Sequence, residues 1–372
     1  MSDPILVYCL DDLAPVRLAA RELARCLRAM TGRTVTVRAA KHFNPSRASI
    51  YLGLPTHFRR KIGAEVCAER RWDDALLVRS VGKALLLTGS NPRSVLFAAY
   101  RWLEALGARW VRPGKDGEFL PALDALRLDG WLIHETAANR HRGVCIEGAC
   151  ALEHVLALVE WMPKLRMNAY MLQFRAAAAF WRRWYERGDL GVKDARRLSL
   201  EECAALDDRV IAALRERGLL VHRVGHGWTC EAVGNHGSGW DVDAPAPDAI
   251  RPLLAEVNGV RDWADGIPIN TELCYSNPEA RRRFVDEVLR YARAHPEVDV
   301  LHIWASDGTN NHCECADCAA LEPSDWYVTL LNEISPKLAE AAPHMRLVGL
   351  CYSNTMWPPT TVPPAGLGDS LI

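Results

Sequence analysis

Hydrophobic and polar positions along the chain change rhythm near residue 140. Before that point, short apolar runs at residues 5–9, 34–37, 49–52, 75–78, 84–88 and 108–111 read as strands. Between them, Leu18, Leu23, Leu27 and Met30 recur near one face of residues 14–30, which predicts a helix stopped by Gly32. Asn91-Pro92 opens a second helix that ends before Gly107, with proline preset for the first turn. These elements predict a small α/β domain over residues 1–130, followed by a linker at 121–139.

After residue 140 the units lengthen. Strands are predicted at 141–146, 168–174, 219–224, 271–275, 300–304 and 346–352, with helices at 152–165, 200–217, 279–295 and 325–342. A Gly/Pro-rich excursion separates the third strand from the fourth, over residues 230–269. Repeated β/α units of this size predict a parallel sheet with right-handed crossovers. Residues 369–372 read as the start of a seventh strand. The expected fold is therefore α/β: a small N-terminal domain, then a (β/α)8 TIM-type barrel over residues 139–372, truncated after about six strands.

Composition narrows the partners. Lys+Arg is 45 and Asp+Glu 46, for a net charge of −1, and the charges are interspersed. No basic run tracks phosphates, so no nucleic-acid partner is expected. No window approaches the roughly 18 apolar residues of a membrane span, so no membrane partner is expected. The start, MSDPILVYCLDD, lacks the basic and apolar regions of a leader, which favours a cytoplasmic protein; an exported form with its leader cut off stays open. Cys9, Cys26, Cys67, Cys145 and Cys203 stand singly and read as small buried thiols. The 13 Trp against 7 Phe suggest indoles used for stacking on ligand faces, with large core side chains as the alternative.

Candidate chemistry gathers behind the later strands. Glu147 follows the first, and Asn168 and Gln173 lie in the second. His226 and Trp228 follow the third, Glu272 and Cys274 lie in the fourth, Trp304 and Asp307 end the fifth, and Tyr352 follows the sixth. In a barrel these ends converge on one mouth. Carboxylates, amides and indoles in one mouth suit a sugar: acids for the leaving group, hydrogen bonds for hydroxyls, rings for ring faces. Asp307 and Glu147 form the candidate acidic pair, with Glu314 in reserve. His226, Trp228, Asn168, Gln173, Trp304, Asn310, Asn311 and Tyr352 are the candidate sugar-binding residues. Each has a plainer reading: Asp307 and Glu147 precede glycines as turn residues do, and Glu272 fits a solvated strand position.

The segment HCECADC places Cys313, Cys315 and Cys318 in C-x-C-x2-C spacing. Three thiolates from one loop suit a structural zinc completed by a fourth ligand, either Cys274 on the neighbouring strand or His312. Disulfide pairing stays open for an exported form. No cofactor is expected for catalysis.

The segments ARELARCLRAMTG, IYLGLP and SVLFAAYRWLEALGARWVRPG resemble the α/β domain that precedes the barrel in alpha-glucuronidases and beta-hexosaminidases. From Asn139 onward, NRHRGVCIEGA, WMPKLRMNAYMLQF, GLLVHRVGHGWTCE, NTELCYSNPE and HIWASDGTNNHCECADC resemble the domain-of-unknown-function 4838 family, some of whose relatives are grouped in glycoside hydrolase family 163. That resemblance implies a retaining endo-β-N-acetylglucosaminidase-like enzyme on an oligosaccharide or glycan, with the substrate's acetamido group as a candidate nucleophile. It also implies two further barrel strands beyond this chain. The alternative on the same fold is a non-catalytic carbohydrate-binding or scaffold protein.

Overall fold

The structure is a computed structural model describing residues 3–58, 71–146, 148, 150–236 and 239–365. Glu147, Cys67 and the expected seventh strand at 369–372 lie outside the described residues. In chain order the strands are β1 Ile5–Cys9, β2 Val35–Ala39, β3 Ile50–Leu52, β4 Ala75–Val81, β5 Ala84–Gly89, β6 Arg109–Trp110, β7 Glu118–Phe119, β8 Leu132–Thr136, β9 Gly143–Cys145, β10 Ala169–Gln173, β11 Leu220–Gly225, β12 Val300–Ile303 and β13 Arg346–Gly349. The helices are α1 Ala14–Thr31, α2 Pro92–Ala105, α3 Leu152–Trp161, α4 Ala178–Tyr185, α5 Leu200–Glu216, α6 Trp228–Ala232, α7 Pro278–Ala294 and α8 Pro323–Ala341. The chain divides into two compact units. One comprises Met1–Val144, Leu152–Tyr170 and Arg209–Leu219, and the other Cys145–Ala151, Met171–Asp208 and Leu220–Ile372.

The first unit is built on a six-stranded sheet of order β2-β1-β3-β5-β4-β8. The pairs β1–β2, β1–β3 and β3–β5 are parallel, whereas β4–β5 and β4–β8 are antiparallel. Helix α1 buries the expected face, Leu18, Leu23, Leu27 and Met30, and ends on Gly32 at φ 64°. That left-handed cap favours glycine because it has no Cβ to clash. Asn91 caps α2 by accepting from the Ser94 backbone N–H. The segment expected to be a linker instead supplies β8, whose residues 132–136 pair with 75–79 of β4. Its alternation of half-buried and exposed positions is that of an edge strand, with too few apolar residues to stand out in the sequence.

The first unit also claims one residue expected at the sugar site. Asn168 is fully buried; its amide donates to Asp74 Oδ2 (2.8 Å) and to the Arg140 carbonyl (2.7 Å), and its oxygen accepts from the Arg142 N–H (2.8 Å). Asp74 pairs with Arg93 Nε at 2.8 Å and Arg142 Nη2 at 2.6 Å. Burial pushes the Asp74 carboxyl up, but Arg93, the Asn91 amide and Arg142 together hold it below the ordinary carboxylate range.

The second unit rests on β11, β12 and β13, adjacent in that order, with β11–β12 and β12–β13 parallel. Strands adjacent in sequence are adjacent in the sheet, as in the wall of a β/α barrel. Val224, Leu301, Ile303 and Leu347 of the sheet pack in one buried cluster with Phe284 and Val288 of α7 and Leu330 and Ile334 of α8. One expected strand is absent. Residues 271–275 form no ladder; Leu273 makes only an isolated antiparallel bridge to Leu254, and β11 pairs directly with β12. The neighbouring-strand argument for Cys274 therefore fails, although its sulfur still reaches the cysteine loop. Among the described residues, no helix is long and apolar enough to cross a membrane.

Replacing Asp74 by alanine removes the carboxylate that pairs with Arg93, 5% exposed, and with Arg142. We expect a loss of about 3–5 kcal/mol in denaturant unfolding at neutral pH. Because the folded carboxyl titrates below its unfolded value, its contribution is complete above about pH 4 and lost as pH falls through the folded value. The deficit of the variant should therefore shrink in acid, and a pH-independent deficit would show that the charge is not the cause.

Candidate active site

A cavity of about 330 Å³ opens in the second unit, beside the loop that follows β12. His226, Glu272, Ser306, Asn311, Glu314 and Tyr352 are among its lining residues. Gly225-His226-Gly227 turns the chain off the end of β11, with Gly225 at φ 94° and Gly227 at φ 112°. A Cβ at Gly225 would meet Trp304 at 3.2 Å and Gln173 at 3.3 Å. The ends of β10, β11 and β12 thus crowd around one glycine, as expected for converging strands.

His226 is 5% exposed and sets the chemistry of this corner. Its Nδ1 lies 2.9 Å from the Ala305 carbonyl and its Nε2 lies 3.1 Å from Asp307 Oδ1. A carbonyl only accepts, so Nδ1 carries a proton. The Nε2 nitrogen faces the Asp307 carboxyl across a close contact that is not a hydrogen bond. The other carboxyl oxygen, Oδ2, accepts from Trp240 Nε1–H at 2.9 Å. Trp240 is steadied in turn by an edge contact with Phe174 and by the Arg183 guanidinium over its ring. Trp304 packs edge-on to His226, with centroids 5.0 Å apart. The Asp307 carboxyl therefore has one oxygen bonded by Trp240 and the other facing the His226 ring, with about a quarter of its side chain exposed.

Glu272 was expected on a strand, where solvation was its plainer role. Instead it is 6% exposed in the cavity wall. Its Oε1 accepts from the Ser306 N–H at 2.7 Å and its Oε2 from the Tyr275 hydroxyl at 2.5 Å. Burial first, and the neighbouring Glu272 carboxylate next, push the Tyr275 phenol well above its ordinary value, which keeps it a donor. Trp240 gave no sequence signal beyond its place in a Gly-rich excursion.

The remaining expected residues divide. Asn311 is buried and lines the cavity; its amide donates to the Asn270 carbonyl at 2.5 Å and Ser306 Oγ at 2.6 Å, and its oxygen accepts from Asn354 at 3.0 Å. Asn310, exposed, is at φ 54° and donates its N–H to Asn354. Tyr352 lines the cavity and is 55% exposed. Glu314 is exposed and lines the cavity, but its carboxylate accepts from the Asn258 N–H at 2.6 Å. Gln173 sits half-buried and accepts from the Cys145 thiol. Trp228 belongs to the core: fully buried, it donates to the His302 carbonyl and packs against Tyr291. Trp228 and Asn168 do not line the cavity, and neither do Asp307, Gln173, Trp304 and Asn310. Of the single cysteines, Cys26 and Cys203 are buried as expected, whereas Cys9 is half-buried and Cys145 exposed, at positions where the alternating strand pattern turns outward.

Cys274, Cys313, Cys315 and Cys318 bring their sulfurs within 4.8 Å of one another. His312 lies outside this group and lines the cavity.

The fold is that of an α/β chain with a parallel β/α sheet. Residues 257–365 match the family model described as a domain of unknown function, DUF4838, a shorter span than the motifs from Asn139 onward had suggested. No curated protein matches the chain. Among solved structures, the chain is similar to the GH20 beta-N-acetylhexosaminidase from Streptomyces coelicolor A3(2), with TM-score 0.50, 17% identity, and coverage of 93% of this chain and 61% of that one. It is also similar to a family GH115 4-O-methyl-alpha-glucuronidase with specificity for decorated arabinogalactans, with TM-score 0.55, 14% identity, and coverage of 95% and 43%. The chain spans less than two thirds of the length of either. At these identities the likeness is one of fold.

Gly308 sits where the loop is tightest. A Cβ there would lie 2.8 Å from the Asn270 carbonyl and 2.4 Å from the Asn311 amide nitrogen. We expect Gly308→Ala to cost about 1–3 kcal/mol by overpacking, measured by denaturant unfolding. An unchanged midpoint would mean that Asn270 and Asn311 do not hold this loop.

Proposed function

We propose that the chain is a glycoside hydrolase acting on a β-linked, N-acetylglucosamine-containing glycan. One observation carries the reading: Asp307, which contacts His226 and Trp240, lies between Ser306 and Gly308, two residues that line a cavity of a size suited to a sugar unit. A carboxyl fixed at the edge of a pocket can deliver a proton to a departing glycosidic oxygen. In this reading Asp307 is the general acid and His226 packs beside it. Asn310, Asn311, Gln173, Trp304 and Tyr352 position the sugar. Glu147 is the partner carboxylate, with the acetamido group of the substrate as the alternative nucleophile in a retaining reaction, and Glu314 the reserve acid. Glu272, whose two oxygens are both taken by protein donors, is a positioning residue that holds Ser306 and hence its neighbour Asp307.

The second reading, a carbohydrate-binding protein on the same fold, is favoured by the same closed partnerships. Both Glu272 oxygens and one Asp307 oxygen accept from protein N–H or O–H groups, which leaves fewer free lone pairs for chemistry.

The test is hydrolysis of β-N-acetylglucosaminides by the wild type and by Asp307→Asn and Glu147→Gln. We expect each substitution to lower kcat/KM by at least about a hundredfold, as for the loss of an acid–base group, with the unfolding midpoint unchanged. Full activity in either variant removes that residue from the mechanism. Sugar binding by a wild type that hydrolyses nothing would favour the second reading.

A further inference from the structure

The four-cysteine cluster lies outside the catalytic reading, and its geometry is specific. Cys274 Sγ stands 3.8 Å from Cys315 Sγ and 3.8 Å from Cys318 Sγ. Sulfurs bound to one tetrahedral zinc at about 2.3 Å must lie about 3.8 Å apart, the edge of that tetrahedron. A disulfide would require about 2.05 Å. The sulfurs of Cys274, Cys313, Cys315 and Cys318 all fall within 4.8 Å of one another, and three of the four residues are buried.

The surroundings suit thiolates rather than thiols. Four thiolates around a divalent ion leave a net charge of about −2, which needs compensating donors. The Glu256 N–H points at Cys313 Sγ (3.2 Å) and the Ser276 N–H at Cys318 Sγ (3.3 Å). The Ser276 hydroxyl lies 3.3 Å from Cys274 Sγ and 3.7 Å from Cys315 Sγ, contacts in which either atom can donate. Arg261 Nη1 approaches Cys313 Sγ at 3.9 Å and also donates to the Leu254 carbonyl. A packed apolar cluster of thiols would need none of these donors.

We propose that Cys274, Cys313, Cys315 and Cys318 bind one zinc ion as a closed tetrathiolate, and that this ion fastens the loop after β12 to the segment around residues 254–276. The site has no open coordination position, so its role is structural. Its consequence is local to the cavity. Glu272 lies two residues before Cys274, Asn311 two residues before Cys313, and Cys313 and Cys318 themselves line the cavity. The ion therefore fixes the wall from which Glu272 and Asn311 hold Ser306.

The experiment is metal analysis of the full chain, purified under reducing, chelator-free conditions, and it does not depend on the glycosidase reading. We expect about one zinc per chain, and a cobalt(II)-substituted form with the visible absorption of a tetrahedral tetrathiolate. Cys315→Ser and Cys318→Ser should each retain less than about a tenth of that zinc. If these variants fail to fold, the wild type still decides: a mercurial that titrates thiols should release zinc in step with the four cysteines, read with a metallochromic dye. Protein that is metal-free while its four thiols alkylate freely in the native state would overturn the proposal. So would zinc that remains bound in the serine variants, or iron in place of zinc.

Discussion

The loop that follows β12 has no regular structure to satisfy its backbone, and the site depends on how that need is met. Buried N–H and C=O groups must find partners. Here they find them in a second irregular stretch, residues 254–276. The Ser306 N–H goes to Glu272, the Asp307 N–H to the Ile269 carbonyl, and the Glu314 N–H to the Glu256 carbonyl. The Asn311 side chain returns to the Asn270 carbonyl. Each segment is thus the hydrogen-bonding partner of the other, and Asp307 sits at their joint. A carboxyl held in this way keeps its orientation without reorganising when a ligand arrives.

Regular elements were legible because their apolar positions repeat. The face of α1 and the capped start of α2 are periodic enough to place within a residue or two, and β12 to β13 reads as a β/α unit. Residues 271–275 misled because Leu273, Cys274 and Tyr275 form an apolar run like a short strand; periodicity cannot tell a strand from an irregular segment clamped on both sides. The edge strand β8 was lost for the opposite reason, since Leu132 and Ile133 are too few to mark it among polar neighbours.

The site was legible in part. His226 between two glycines and Asp307 after a buried strand were visible, and the structure joins them. Asn168 was not: its partner Asp74 is 94 positions away, so nothing local distinguishes a buried structural amide from a sugar ligand. The tryptophan excess divides the same way. Trp102, Trp181 and Trp228 are fully buried core, where the plainer reading holds, while Trp240 serves the carboxyl at the site. Fold resemblance alone cannot choose among these roles, because unrelated functions share such frameworks; the partners of each side chain do.

The account's central claim is that a sugar sits against Asp307, and a crystal of the protein soaked with N-acetylglucosamine tests it most directly. The account predicts a sugar in the cavity lined by His226, Asn311 and Tyr352, with a polar atom within about 3.2 Å of an Asp307 carboxyl oxygen. A sugar bound elsewhere, or an empty cavity at a saturating concentration, would contradict it.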